Sequence, residues 1–218
     1  MAKAAKKPHQ SLRMFESDLL EKASHVHPSI PAIMWIPFIA YLIWRATAVE
    51  QIPAATFALL SVSGFLSWTL AEYVLHRWIF HWVNETAFSK RIHFIIHGNH
   101  HDDPNDPTRL VMPPVPAIIL AVLLYNIFVL PLGPVLVLPF FAFFLVGYLG
   151  YDYTHYYIHH ASPKKGWGKF IKQHHMLHHF AAHGAKWGVS TPIWDYVFGT
   201  MTEPKRPRGE SAAHHAHH

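Results

Sequence analysis

The 218-residue chain contains no cysteine. That excludes disulfides, thiolate metal sites and iron–sulfur clusters. Charge is scarce as well. Asp, Glu, Lys and Arg make up 14% of the chain, against 51% hydrophobic and 15% aromatic residues. This balance excludes an ordinary soluble domain and predicts a membrane protein. No signal-peptide pattern stands at the start. The first apolar run begins near Ile30, too late for an h-region, and no small-residue cleavage site follows it. The formal charge of +5 raises nucleic acid as a partner, but no recognisable binding module accompanies it, so none is expected. A basic, apolar chain fits a cytoplasmic membrane surface instead.

What the chain has in quantity is apolar run and histidine. Four runs are almost free of charge: about 31–48, 52–75, 111–130 and 134–151. Each approaches the roughly 20 residues needed to cross a hydrocarbon core. The turns between them at 46–51 and 131–133 are very short. The expectation is an all-α integral membrane protein with four transmembrane helices in two hairpins. Before them, residues 1–10 read as a basic tail. Leu12, Phe15 and Leu19 in "SLRMFESDLLEKASHVH" follow a helical repeat, predicting an amphipathic interfacial helix within residues 1–30. The remaining organisation is a membrane unit over 31–200, whose cap comprises 76–110 and 152–200, and a basic, His-rich tail over 201–218.

Four crossings put both termini and the cap on one side. Of the 18 Lys and Arg residues, all but Arg45 lie in the segments assigned to that side, which makes it cytoplasmic. All 21 histidines lie there too. Hydropathy alone set the topology, and it segregates the histidines. A membrane metal transporter would carry ligands inside its spans; these spans contain no histidine.

The histidines form four clusters: "EYVLHRWIFH", "HFIIHGNHH", "DYTHYYIHH" and "KQHHMLHHF". His97 and His101, His155 and His159, and His175 and His179 are i, i+4 pairs; His97–His100 and His175–His178 are i, i+3. Such pairs share a helix face and can meet one ion. His76 and His81 are i, i+5, about 140° apart on an α-helix. They reach different ions, or one ion if the helix is distorted. Ten or so imidazoles exceed the needs of one ion and suggest two. Imidazole suits zinc, iron, copper and nickel, so ligand type does not name the metal. Glu72, one turn before His76, and Asp152, three residues before His155, are expected to support ligand imidazoles from behind. His93, His160, His174 and His183 are candidates for supporting or surface positions. His9, His25 and His27 are expected in solvent. The terminal "HHAHH" is not assigned a functional role.

The chain resembles the fatty acid 2-hydroxylases, within the fatty acid hydroxylase and sterol desaturase superfamily. The resemblance runs from about Leu12 to Thr200. It rests on "RMFESDLLEK", "EYVLHRWIFH", "HFIIHGNHH", "RLVMPP", "GYDYTHYYIHH", "HHMLHHF" and "GVSTPIWDYVFGT". The histidine boxes fit the whole superfamily; "RLVMPP" and "WDYVFGT" narrow it. Carried over by position, the resemblance implies that His76, His81, His97, His100, His101, His155, His159, His175, His178 and His179 hold two metal ions. His93 and His174 fall beside the ligand positions. It implies a four-helix membrane unit under a cytosolic helical cap, iron in the site with zinc able to occupy it in purified material, and O₂ as co-substrate. The implied reaction is hydroxylation of carbon 2 of a long acyl chain, free or in a ceramide. The residues that bind the substrate are not identified. A sterol, carotenoid or other lipid as substrate of a related hydroxylase or desaturase is the alternative.

Only about 30 residues precede the first span, too few for the b5-type cytochrome domain that many eukaryotic members carry. A single-domain member is expected. Each turnover needs two electrons, and the chain has no cysteine, haem domain or flavin fingerprint to carry them. The expectation is a separate donor, a b5-type cytochrome or a ferredoxin with its reductase. Lys164, Lys165, Lys169 and Lys172 are the candidate docking surface, with anionic lipid headgroups as the competing use.

Overall fold

A computed structural model describes residues 11–182 and 184–202. His9, His183, the basic tail and the terminal histidines lie outside them. The described residues are helical, without strands: α1 (Asp18–Ser24), α2 (Ile30–Trp44), α3 (Ala54–Val74), α4 (Ala87–His93), α5 (Asn99–Asp102), α6 (Pro114–His160), α7 (Gly166–Phe180) and α8 (Ile193–Val197). Three of the helices end in π-helical turns, at Arg45–Val49, Leu75–Phe80 and Phe94–Gly98. Three stretches are long and apolar enough to cross a membrane: Ile30–Val49, Ala54–Phe80 and Pro114–His160.

The longest of these is bent back on itself. Gly133 leaves the helical region, at φ 75° and ψ 171°, a conformation that costs glycine little. Pro131 and Pro134 flank it. Across this break Tyr125 and Phe141 have ring centroids 5.3 Å apart, and Phe128 and Phe140 4.8 Å. A straight helix would separate residues sixteen apart by about 24 Å. The two arms of α6 therefore run antiparallel, reversing where the sequence predicts a short turn. The other reversal, between α2 and α3, is closed by the Arg45–Glu50 ion pair at 2.6 Å and by Gln51 at φ 49°.

The second arm of α6 packs on α3 through close backbone approach. A Cβ on Gly64 would stand 2.0 Å from the Phe140 carbonyl oxygen, and one on Gly147 2.7 Å from Trp68 Cβ. Small residues at such crossings let helices meet without a gap. Trp68 fills the contact, edge-on to Phe144 and Tyr148 at 5.2 Å each. Leu59, Val62, Leu66, Ile118, Val122 and Leu130 face outward, as lipid-facing residues do.

Length then places the metal-ligating residue types. Ala54–Phe80 and the second arm of α6 each run 27 residues or so, about 40 Å, against a hydrocarbon core of about 30 Å. Their last turns carry His76, His155 and His159.

The N-terminal helix is shorter than the repeat predicts. Helix begins at Asp18, so Leu12 and Phe15 lie outside it. The Glu21 carboxylate accepts the Met14 and Phe15 N–H groups at 2.8 and 2.9 Å, and the Arg13 guanidinium donates to the Phe15 and Glu16 carbonyls. These bonds take the backbone groups that a helix would have used. His25 is not solvated as expected. Its Nδ1 meets Thr108 Oγ1 at 2.6 Å and its Nε2 meets buried Arg109 at 2.9 Å. His27 is exposed.

Gly64→Ala is expected to lower the thermal unfolding midpoint in detergent, costing at least about 1–3 kcal/mol. Gly150→Ala, inside α6 with nothing within 4 Å of the added carbon, is expected to hold or raise the midpoint.

Candidate metal centre

The π-turn at the end of α3 answers the His76–His81 question. The His81 N–H bonds the His76 carbonyl at 3.3 Å, an i→i−5 bond that widens the turn. Residues five apart then share a face, and the two rings stand 5.0 Å apart. A second π-turn, Phe94–Gly98, leads into the short α5 and delivers His97, His100 and His101.

The ten histidines carried over from the resemblance meet in two groups of five. His76, His81, His97, His101 and His178 form one; His100, His155, His159, His175 and His179 form the other. Within each, one ring nitrogen per residue lies within 4.8 Å of all the others. The three i, i+4 pairs each stay within one group. The two i, i+3 pairs do not. His100 turns away from His97 and His178 away from His175, so α5 and α7 serve both groups. The groups adjoin, with His101 stacked on His179 at 4.1 Å.

The nitrogens are close enough to demand a partner. His175 Nε2 has the Nε2 atoms of His155, His159 and His179 each at 3.0 Å. In the first group, His76 and His97 approach to 3.1 Å, as do His81 and His178. A neutral imidazole carries one N–H, so four converging nitrogens cannot satisfy one another. Ligands at right angles around an ion with bonds of about 2.1 Å stand about 3 Å apart. The arrangement therefore fits a cation in each group. Protonation cannot supply the charge. Burial, reinforced by neighbouring imidazoles, pushes His81, His97, His100, His175 and His179 below the usual histidine range. Neutral rings with free lone pairs remain.

Behind the rings lies a network that spacing alone does not reveal. His76 Nδ1 donates to the Trp187 carbonyl and His178 Nδ1 to the Ala185 carbonyl, the latter at 2.8 Å. His93 Nδ1 donates to the Phe80 carbonyl at 2.7 Å. The expected role of Glu72 changes. Its buried carboxylate accepts the Val189 and Ser190 N–H groups at 2.7 Å each, together with the Ser190 hydroxyl. It holds the loop before α8 rather than an imidazole, because that loop brings two free N–H groups against it. His174 likewise turns from the ring clusters and donates from Nε2 to Asp195 at 3.0 Å. Asp152 is buried beside the Tyr148 hydroxyl and the Met112 backbone, with no bond to His155. His160 is exposed against Tyr156.

Asp195 is the residue sequence reasoning missed. It accepts Trp187 N–H at 2.8 Å, Gly188 N–H at 2.9 Å and the Thr200 hydroxyl at 2.8 Å, besides His174. Burial alone would raise its carboxyl, but these donors hold it below the usual carboxylate range. Its signal was a lone acid within the apolar "GVSTPIWDYVFGT", which spacing rules do not single out.

An apolar groove of about 630 Å³ opens between α2 and α6, lined by Trp35, Phe38, Tyr41, Leu42, Tyr125 and Phe141 among others. A narrow gap of about 20 Å³ lined by Trp68, Met112 and Tyr148 adjoins it, sharing Trp35 and Ala121. From there Tyr151 connects to the second histidine group, packed against Trp68 at 5.7 Å and stacked on His155 at 5.8 Å.

Comparison with known proteins gives a consistent picture. Residues 61–200 match the model of the fatty acid hydroxylase family. The chain is 39% identical over 211 residues to the fatty acid 2-hydroxylase of Rattus norvegicus, covering 87% of this chain and 56% of the rat protein. It is 37% identical over 190 residues to the dihydroceramide fatty acyl 2-hydroxylase FAH2 of Arabidopsis thaliana, covering 87% and 79%. The solved structure of full-length scs7p, in which only the hydroxylase domain is visible, superposes with a TM-score of 0.80 at 32% identity, covering 87% of this chain and 72% of that one. The chain spans little more than half the length of the mammalian relatives.

The lowered histidines fix a direction for pH. Above about pH 6.5 the rings are neutral whether folded or not, and titration contributes nothing. Below it the unfolded chain takes up protons that the folded one refuses, so stability falls as pH falls. The unfolding midpoint of metal-free protein in detergent is expected to drop from about pH 7 to about pH 5, each histidine contributing up to about 1.4 kcal/mol per pH unit. A flat midpoint across that range would contradict the burial of neutral rings.

Proposed function

The chain belongs to the fatty acid hydroxylase family, and from that premise we propose that it hydroxylates carbon 2 of a long-chain fatty acid or of the acyl chain of a ceramide. One observation carries the reading: two adjoining groups of five convergent imidazoles stand at one end of a helical bundle that opens an apolar groove between α2 and α6. The relatives' names, fatty acid 2-hydroxylase and dihydroceramide fatty acyl 2-hydroxylase, set the position and the two acyl classes. The net reaction is R–H + O₂ + 2 e⁻ + 2 H⁺ → R–OH + H₂O.

In this reading the ten grouped histidines are the ligands of two ions, and residues 31–200 are the hydroxylase unit. Bound iron, which zinc can replace in purified material, would supply the activation of O₂ that no side chain here provides. Acid–base groups alone offer only about 10²–10⁴-fold, too little for an unactivated C–H bond. The protein supplies position. The groove walls hold the acyl chain by apolar contact, and Trp35, Trp68, Tyr148 and Tyr151 line its way to His155. Packing of these rings keeps water from the reacting carbon. Four crossings, with the cap cytoplasmic, are supported by the reversal at Gly133 and by the segregation of Lys and Arg.

Electrons come from a separate one-electron carrier with an acidic face. Lys164, Lys165 and Lys169 are exposed around the start of α7 and form the proposed docking surface. Lys172 leaves the expected set. Its ammonium donates to the Ile158 and Ala161 carbonyls at 2.6 and 2.8 Å, closing the end of α6, and burial lowers its pKa.

Expression in a host lacking 2-hydroxy lipids should produce them, with the new oxygen from labelled O₂. Label arriving from water instead would overturn the oxygenase reading. His100→Ala should abolish the product while the protein stays in the membrane. Reversing Lys164, Lys165 and Lys169 to Glu should slow reduction by the donor and flatten its salt dependence, with metal content unchanged. Unaltered reduction kinetics across a salt series would assign the lysines to lipid headgroups.

A further inference from the structure

We infer that the two metal positions are inequivalent: the position among His76, His81, His97, His101 and His178 holds its ion tightly, and the one among His100, His155, His159, His175 and His179 holds an exchangeable ion. The inference rests on the reading that each group takes one ion. It follows from what stands behind the rings.

An imidazole that gives Nε2 to a metal carries its proton on Nδ1, and that N–H needs an acceptor. In the first group two rings have one. His76 Nδ1 meets the Trp187 carbonyl, and His178 Nδ1 meets the Ala185 carbonyl at 2.8 Å. Both acceptors belong to a loop that cannot drift. Asp195 fixes Trp187 and Gly188 by their N–H groups, and Glu72 fixes Val189 and Ser190. A Cβ on Gly188 would stand 2.1 Å from the Thr191 carbonyl oxygen, so the loop is also closed by packing. Tautomer and ring orientation are set before any ion arrives.

The second group has less of this support. His155 has the Leu110 backbone as a partner, but the Nδ1 atoms of His100, His175 and His179 are buried without a hydrogen-bond partner. Binding an ion there leaves N–H groups buried and unpaired, which opposes binding. A missing outer partner typically changes metal affinity by about 10–100-fold. The less firmly held ion is the one whose group contains His155, on which Tyr151 stacks.

Asp195 and Glu72 are then positioning residues, acting through the loop carbonyls on His76 and His178. The test is metal release. Protein loaded with zinc in detergent is dialysed against graded chelator, and zinc per chain is measured. Two steps are expected, with the second ion leaving at chelator strength about 10–100-fold higher than the first. His159→Ala should retain one resistant ion, and His76→Ala one easily removed ion. Asp195→Asn should move the resistant step toward the easy one and leave the easy step in place, which a general loss of stability would not do. Loss of both ions in one step, or the reverse pattern in the two histidine variants, overturns the inequivalence. Protein that never takes up a second ion overturns the two-ion reading beneath it.

Discussion

Ten imidazole rings gathered in two groups, nine of them with nitrogens about 3 Å from a neighbour and most of them buried, repel one another unless cations sit among them. The rest of the molecule makes that arrangement possible. Two helices longer than a hydrocarbon core is thick carry His76, His155 and His159 near their ends. A π-turn folds His76 and His81 onto one face. Helices α5 and α7 pass between the groups and contribute to both. The loop at 185–190 closes over one side, held by two buried carboxylates. Each of these features has a cost in ordinary terms, since π-turns are poorly bonded and buried acids are expensive. All converge on the same few ångströms.

Much of this was legible in the sequence. Hydropathy located every apolar run, including the turn now seen at Gly133, because a bilayer sets segment length directly. The ten grouped histidines stood out through helical spacing and through the resemblance. The partition between the groups was not legible. An i, i+3 spacing tolerates either a shared face or two adjacent ones, and only the neighbouring helices decide which group His100 or His178 joins. His76 and His81 needed a distorted helix that no propensity rule predicts. Glu72 and Asp195 needed the tertiary fold, because their partners are backbone N–H groups more than 100 residues away for Glu72 and within a loop for Asp195. The N-terminal helix starts late for a related reason: Glu21 and Arg13 commit their hydrogen bonds to the backbone of residues 14–16.

Groove and centre divide the labour of the proposed reaction. In that proposal the groove would hold methylene chain, which carries no polar handle, so selectivity along it would rest on shape and length. The centre would act where the chain presents a C–H bond. Under the proposal, regiochemistry at carbon 2 would depend on how far the acyl chain can travel past Trp35 and Tyr148 toward His155.

The measurement that bears most directly on the account is metal-edge X-ray absorption on the purified protein, together with its metal content. Two ions per chain, with a first shell of nitrogen and oxygen donors and the outer-shell scattering of several imidazoles, is the predicted result. One ion per chain, or a spectrum without multiple imidazole scattering, would contradict it.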